Sequence, residues 1–161
     1  MSCHRVLPDV LAPGDDVVIT RHLRLEPLPH LVGEARKFVL SRSPALPPGT
    51  CDVLVLLTSE LVTNAVLHAR TPLEVGLTVT THSILVTVYD LNLTRPVEQP
   101  YPARAGGWGL GLVSALAEDS GLRVHTEGGK TAWFRLSRDA PSADWTTGSA
   151  RRSQVSTPDG A

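Results

Sequence analysis

Apolar and polar positions change period several times along the chain, and each change marks an element. Residues 17–25 (VVITRHLRL) are rich in β-branched and apolar side chains and predict a strand. Pro27 and Pro29 close it. Over 30–41, Leu31, Ala35, Phe38 and Val39 recur at helical spacing. Residues 43–50 hold Pro44, Pro47, Pro48 and Gly49 and predict a loop. The longest candidate helix covers 51–69, where Leu54, Leu57, Leu61 and Ala65 form one apolar line. Val53, Val55, Leu56, Val62, Val66 and Leu67 widen that line almost all round, so the helix is expected to be central and largely buried. Pro72 prevents its continuation.

Residues 73–80 and 84–90 predict two strands joined by a short polar turn. Residues 94–105 carry three prolines and no apolar period, and read as a loop. Gly106-Gly107-Trp108-Gly109-Leu110-Gly111 then opens an apolar segment ending near Asp119, a predicted helix. Residues 122–127 and 131–137 predict a hairpin around Gly128-Gly129. The expected organisation is a flexible N-terminus over 1–15, a folded domain over 16–138, and a disordered tail over 139–161 that is Ser, Thr, Pro, Gly and Ala with scattered charge. No internal repeat is visible.

Composition narrows the class. With 42% hydrophobic and 19% charged residues in a chain of 161, a packed core is expected. Fifteen basic residues against sixteen acidic ones argue against a dedicated nucleic-acid binder, whose footprint would be basic. No apolar run approaches the ~18 residues of a membrane span, and the first ten residues lack the pattern of an export signal. Cys3 and Cys51 make no disulfide framework, and six histidines show no metal-ligand spacing with them. The expectation is a reduced, cytoplasmic protein with neither nucleic acid nor membrane as partner. Cys51 is expected just before the central helix.

Three features carry chemistry. Glu60, Asn64 and His68 recur every four residues, so they share one stripe of a helix that is otherwise apolar. A buried carboxylate there would cost several kcal/mol without a partner; the alternative is that the stripe faces solvent. Asp90 ends a strand on the same face as Ile84, Val86 and Val88, so a carboxylate terminates a core-facing row, unless it simply starts a turn. Gly106, Gly107, Gly109 and Gly111 precede or open a helix, where close backbone approach and free N–H groups suit an anion such as phosphate. No Gly-Lys-Ser/Thr follows, so this is not a P-loop, and the preceding loop makes a poor dinucleotide fingerprint.

The order of these features is the stronger signal. SELVTNAVLHA at 59–69, LVTVYD at 85–90, GGWGLGLVSALAEDSG at 106–121 and GGKTAWFRL at 128–136 together resemble the histidine kinase-like (GHKL) ATPase superfamily. The likeness is greatest to the small bacterial anti-sigma factor serine/threonine kinases and covers residues 20–137. It implies an α/β fold, a two-layer sandwich with a mixed, mostly antiparallel sheet and helices on one face. It implies ATP and Mg²⁺ as cofactors. Glu60 then resembles the general base, Asn64 the Mg²⁺ ligand, and Asp90 the acceptor for the adenine amino group. Gly107, Gly109 and Gly111 resemble the glycines at the lid hinge and under the phosphates, with 91–105 as the lid.

Two positions depart from the family pattern. Asn92 stands where Asp-x-Gly has its glycine, and is expected to keep the turn through its tolerance of left-handed geometry. Lys130 stands where a hydroxyl often follows the hairpin glycine, which argues against a nucleotide role for Thr131. Gly121 and Gly128 read as ordinary turn glycines. The resemblance implies transfer of the ATP γ-phosphate to Ser/Thr of a small antagonist protein, a sigma factor as second partner, and a homodimer. The alternative, kept open by Asn92, is a nucleotide- or partner-binding regulatory module without turnover. An adaptor that has lost nucleotide binding is the third reading.

Overall fold

The β-branched and apolar side chains of the first segment produce β1 (Val17–Leu25), with Leu25 buried at its end. The computed structural model describes residues 7–92 and 108–139. A 3-10 turn at Pro29–Leu31 leads into α1 (Val32–Arg42), which buries Ala35 and Val39. The central helix, α2 (Pro48–His68), starts at Pro48 rather than at Cys51. Proline suits a first helical position, because its φ is preset and no intrahelical N–H is needed there. Cys51 therefore lies inside the first turn, with its thiol 3.8 Å from the Leu46 carbonyl. α2 has the length and apolar composition of a membrane-crossing helix. Its inner face, including Leu54, Leu57, Leu61 and Val62, is nevertheless buried in this domain's core.

The remaining elements are β2 (Leu73–Thr80), β3 (Ser83–Asp90), α3 (Trp108–Leu116), β4 (Asp119–Val124) and β5 (Lys130–Ser137). The strands form one five-stranded sheet in the order β1-β2-β3-β5-β4. Every pairing among the described residues is antiparallel, so the mixed sheet expected from the sequence has no parallel pair there. β4 begins at Asp119, earlier than the expected start at 122. Gly121 is accordingly not a turn glycine. It pairs with Trp133, and a Cβ at Gly121 would come within 3.0 Å of the indole.

Register decides which side chains meet the helices. β3 and β5 pair Ile84 with Leu136, Val86 with Phe134, Val88 with Ala132 and Asp90 with Lys130. The apolar members of these pairs pack with Val39, Leu54, Leu57, Leu61 and Val62 of α1 and α2 into the main core. Asp90 and Lys130 therefore end a row that faces the helix layer. The intervening side chains face the other way, and there Leu85 and Trp133 are buried with Leu7 and Val10.

That second cluster comes from the segment expected to be a flexible N-terminus. From Leu7 onward it has one 3-10 turn, Pro8–Val10, and packs across the far face of the sheet. Arg135 donates from Nη1 to the Val10 carbonyl at 2.6 Å, and Arg123 pairs with Asp9. Asp15 accepts from the hydroxyls of Thr80, Thr81 and Ser83 and from the backbone N–H of His82, so it fastens the β2–β3 turn.

Candidate functional site

The site forms where three elements converge on one end of the sheet. β2 starts and β3 ends there, since Leu73 pairs with Asp90, and α2 runs into β2 at the same place. α3 leads into β4, whose first residue Asp119 pairs with Arg135, far along β5 from Lys130. The first turn of α3, with Gly109 and Gly111, is thereby directed to the Asp90 end. Gly107 and residues 93–105 of the lid expected over 91–105 lie outside the described residues.

Along α2, Glu60 and Asn64 are half-buried and border the buried face made by Leu57, Leu61 and Ala65. Ser59, on the flank towards α1, receives a 3.4 Å contact from Arg36 Nη1. At about 100° per residue, Asn64 falls on the opposite flank, towards α3, with Glu60 one turn earlier. Neither the Glu60 carboxylate nor the Asn64 amide makes a hydrogen bond or ion pair among the described residues. His68, third on the stripe, is exposed. The stripe thus follows neither extreme: its first two members border the core and its last faces solvent.

Asp90 is 3% exposed. Its Oδ1 accepts from the backbone N–H of Asn92 at 2.9 Å and lies 3.4 Å from the Lys130 ammonium. Its second oxygen, Oδ2, has no protein partner among the described residues. On a residue this buried, a carboxylate oxygen left this way favours a ligand that donates to it. An exocyclic amino group of a base is one such donor.

Asn92 corrects one expectation. It is not left-handed; the only non-glycine with positive φ among the described residues is Arg70. Asn92 instead closes an Asx-type turn on Asp90 and donates from Nδ2 to the His68 carbonyl at 3.0 Å. Side-chain hydrogen bonding thus holds a turn that the family pattern assigns to glycine. Thr131 lies on the far face of the sheet, where its hydroxyl is 2.7 Å from His125 Nε2. Lys130, not Thr131, is the β5 residue beside Asp90.

The donor set fits Mg·nucleotide. Mg²⁺ is held by one or two protein oxygens plus phosphates and keeps several waters, so the Asn64 amide oxygen, unengaged among the described residues, suffices without an acidic cluster. The N-terminus of α3 offers free backbone N–H groups to the phosphates. A sheet covered on one face by helices, with an acceptor at a strand end and a glycine-rich helix start beside it, defines a nucleotide-binding α/β domain. The family model of the histidine kinase-like ATPase domain matches residues 24–136, well over half of the chain. The chain belongs to that family. No curated protein matches it at a significant level.

Proposed function

We propose that this ATP-binding regulatory domain is a protein serine/threonine kinase of the anti-sigma type. It would transfer the γ-phosphate of ATP to a hydroxyl on a small antagonist protein, with a sigma factor as its second partner, and act as a homodimer. The observation that carries the kinase reading is the position of Glu60. It is a carboxylate without a partner among the described residues, one helical turn from Asn64 and at the edge of the core.

The chemistry follows from that placement. Asp90 Oδ2 takes the adenine amino group, and the first turn of α3 takes the phosphates on its backbone N–H groups. Asn64 would hold Mg²⁺, which supplies charge neutralisation across the phosphates when bound. Glu60 accepts the proton of the attacking hydroxyl as its oxygen bonds to the γ-phosphorus. The bond from that phosphorus to the β-γ bridging oxygen breaks, and ADP leaves with the electron pair. A positioned base of this kind contributes about 10²–10⁴-fold to rate.

Glu60→Gln tests this directly. It keeps the side-chain volume but accepts no proton. The expected result is near-parental ATP affinity with most phosphoryl transfer to the antagonist lost. Unchanged transfer removes Glu60 as the base. A second reading, a binding module without turnover, draws on Asn92, whose hydrogen bonds to Asp90 and His68 hold the strand exit where the family has glycine. Micromolar ATP binding with no transfer to any partner or to water would favour it.

A further inference from the structure

Lys130 is the residue that the family pattern does not account for, and its surroundings are unusual. It sits directly across from Asp90 on β5, on the helix-facing side of the sheet. Its side chain is 15% exposed and its ammonium has one partner among the described residues, Asp90 Oδ1 at 3.4 Å. The ammonium carries three N–H donors. The ion pair with Asp90 leaves N–H donors over at the tip of a largely buried side chain. Asp90 is in the complementary position, with Oδ1 engaged and Oδ2 without a protein partner among the described residues. The pair therefore presents an unused acceptor next to unused donors.

That arrangement is the complement of a purine edge. Adenine has an exocyclic amino group flanked by a ring-nitrogen acceptor on each side, N1 and N7. A carboxylate alone recognises the amino group only. A carboxylate with an ammonium held against it recognises the amino group and an adjacent ring nitrogen together. We infer that Lys130 is a specificity-determining residue of the base subsite, donating to a ring nitrogen of adenine while Asp90 accepts from the amino group. The inference rests on the nucleotide reading given above. It adds a contact that a hydroxyl following the hairpin glycine would not reproduce, because a hydroxyl brings no positive charge to Asp90.

Backbone geometry explains why position 130 is held so firmly. Gly129 has φ +80°, and a Cβ there would come 2.5 Å from the Asp90 carbonyl oxygen. The hairpin thus crosses close over the strand end, and the next residue, Lys130, enters the β3–β5 ladder opposite Asp90.

The test uses ADP and two analogues, 1-deaza-ADP and 7-deaza-ADP, each lacking one ring-nitrogen acceptor. Calorimetric affinities are measured with Mg²⁺ for the parent protein and for Lys130→Met. In the parent, one of the two analogues should bind about ten- to a hundredfold more weakly than ADP, the loss expected for a hydrogen bond from a charged donor. In Lys130→Met, ADP should weaken by a similar factor, and the deaza penalty should disappear. The comparison within the parent needs no variant, so it stands even if Lys130→Met folds poorly. Equal binding of ADP and both analogues by the parent overturns the inference. So does a deaza penalty that persists in Lys130→Met, or a variant that binds ADP more tightly, which would make Lys130 a plug over Asp90. Failure of ADP to bind the parent at all is a different outcome, because it overturns the nucleotide reading itself.

Discussion

Gly129 lies against the backbone carbonyl of Asp90, so closely that a Cβ on Gly129 would be 2.5 Å from that oxygen and 2.7 Å from the Tyr89 hydroxyl. The hairpin between β4 and β5 is thereby seated on the end of β3, and the backbone of Asp90 is held by a glycine. Gly129→Ala combines an unfavourable positive φ with a clash against backbone that cannot swing away. It should destabilise the domain by about 2–3 kcal/mol. Urea unfolding of parent and variant measures this, and a difference under about 0.5 kcal/mol, the size of an ordinary surface change, would contradict it.

Asp15 gives the domain an acid-sensitive fastening. Burial, the largest single influence, raises its pKa, but the hydrogen bonds from Ser83, Thr80, Thr81 and His82 together outweigh it. The carboxyl is lowered from 3.8 to about 2. A group with a depressed folded pKa stabilises the fold fully above its unfolded value. Its contribution is lost as pH falls from 3.8 through about 2. The stability difference between the parent and Asp15→Asn should be constant from pH 7 to about pH 5 and shrink over that window. Denaturant midpoints at stepped pH measure it. A difference that is flat down to pH 2 would contradict the assignment.

Asn64 offers an amide oxygen with no protein partner among the described residues. Asn64→Ala should weaken Mg·ATP binding about tenfold, the size of one lost charged-group contact, and leave metal-free ATP binding close to parental. Paired titrations with Mg²⁺ and with a chelator separate the two. Equal losses in both would remove Asn64 as the metal ligand.

How much could be read from the chain depends on how local the cause was. β1 and β2 have the expected bounds because β-branched and apolar content is a property of the segment itself. α2 was visible from its apolar periodicity, but its start was not, because Pro48 is as typical of a loop as of a first helical turn. β4 starts earlier than its apolar run because Gly121, a poor strand former, is accommodated beside the Trp133 indole, a tertiary effect. The packed segment at Leu7, Val10 and Leu11 has no period of its own; its cause is Leu85 and Trp133, distant in sequence.

The site was legible as residue types in order, and the places of Glu60, Asn64 and Asp90 follow from helical spacing and strand alternation. Lys130 stood out only as a departure. Its meaning lies in the β3–β5 register, which puts it opposite Asp90, and a one-residue slip would have placed Thr131 there instead. Asn92 likewise needed the structure, since its hydrogen bond to His68 joins the strand exit to the end of α2.

The central claim is that Asp90 reads the base of a bound ATP. Calorimetric titration of ATP into the parent and into Asp90→Asn tests it most directly, with far-ultraviolet circular dichroism confirming that both are folded. The substitution can set an amide donor where the adenine amino group also donates, a loss of about 1–3 kcal/mol. The account predicts saturable binding of ATP by the parent and an affinity about ten- to a hundredfold lower in the variant. Equal affinities in two folded proteins, or no binding by the parent, would contradict it.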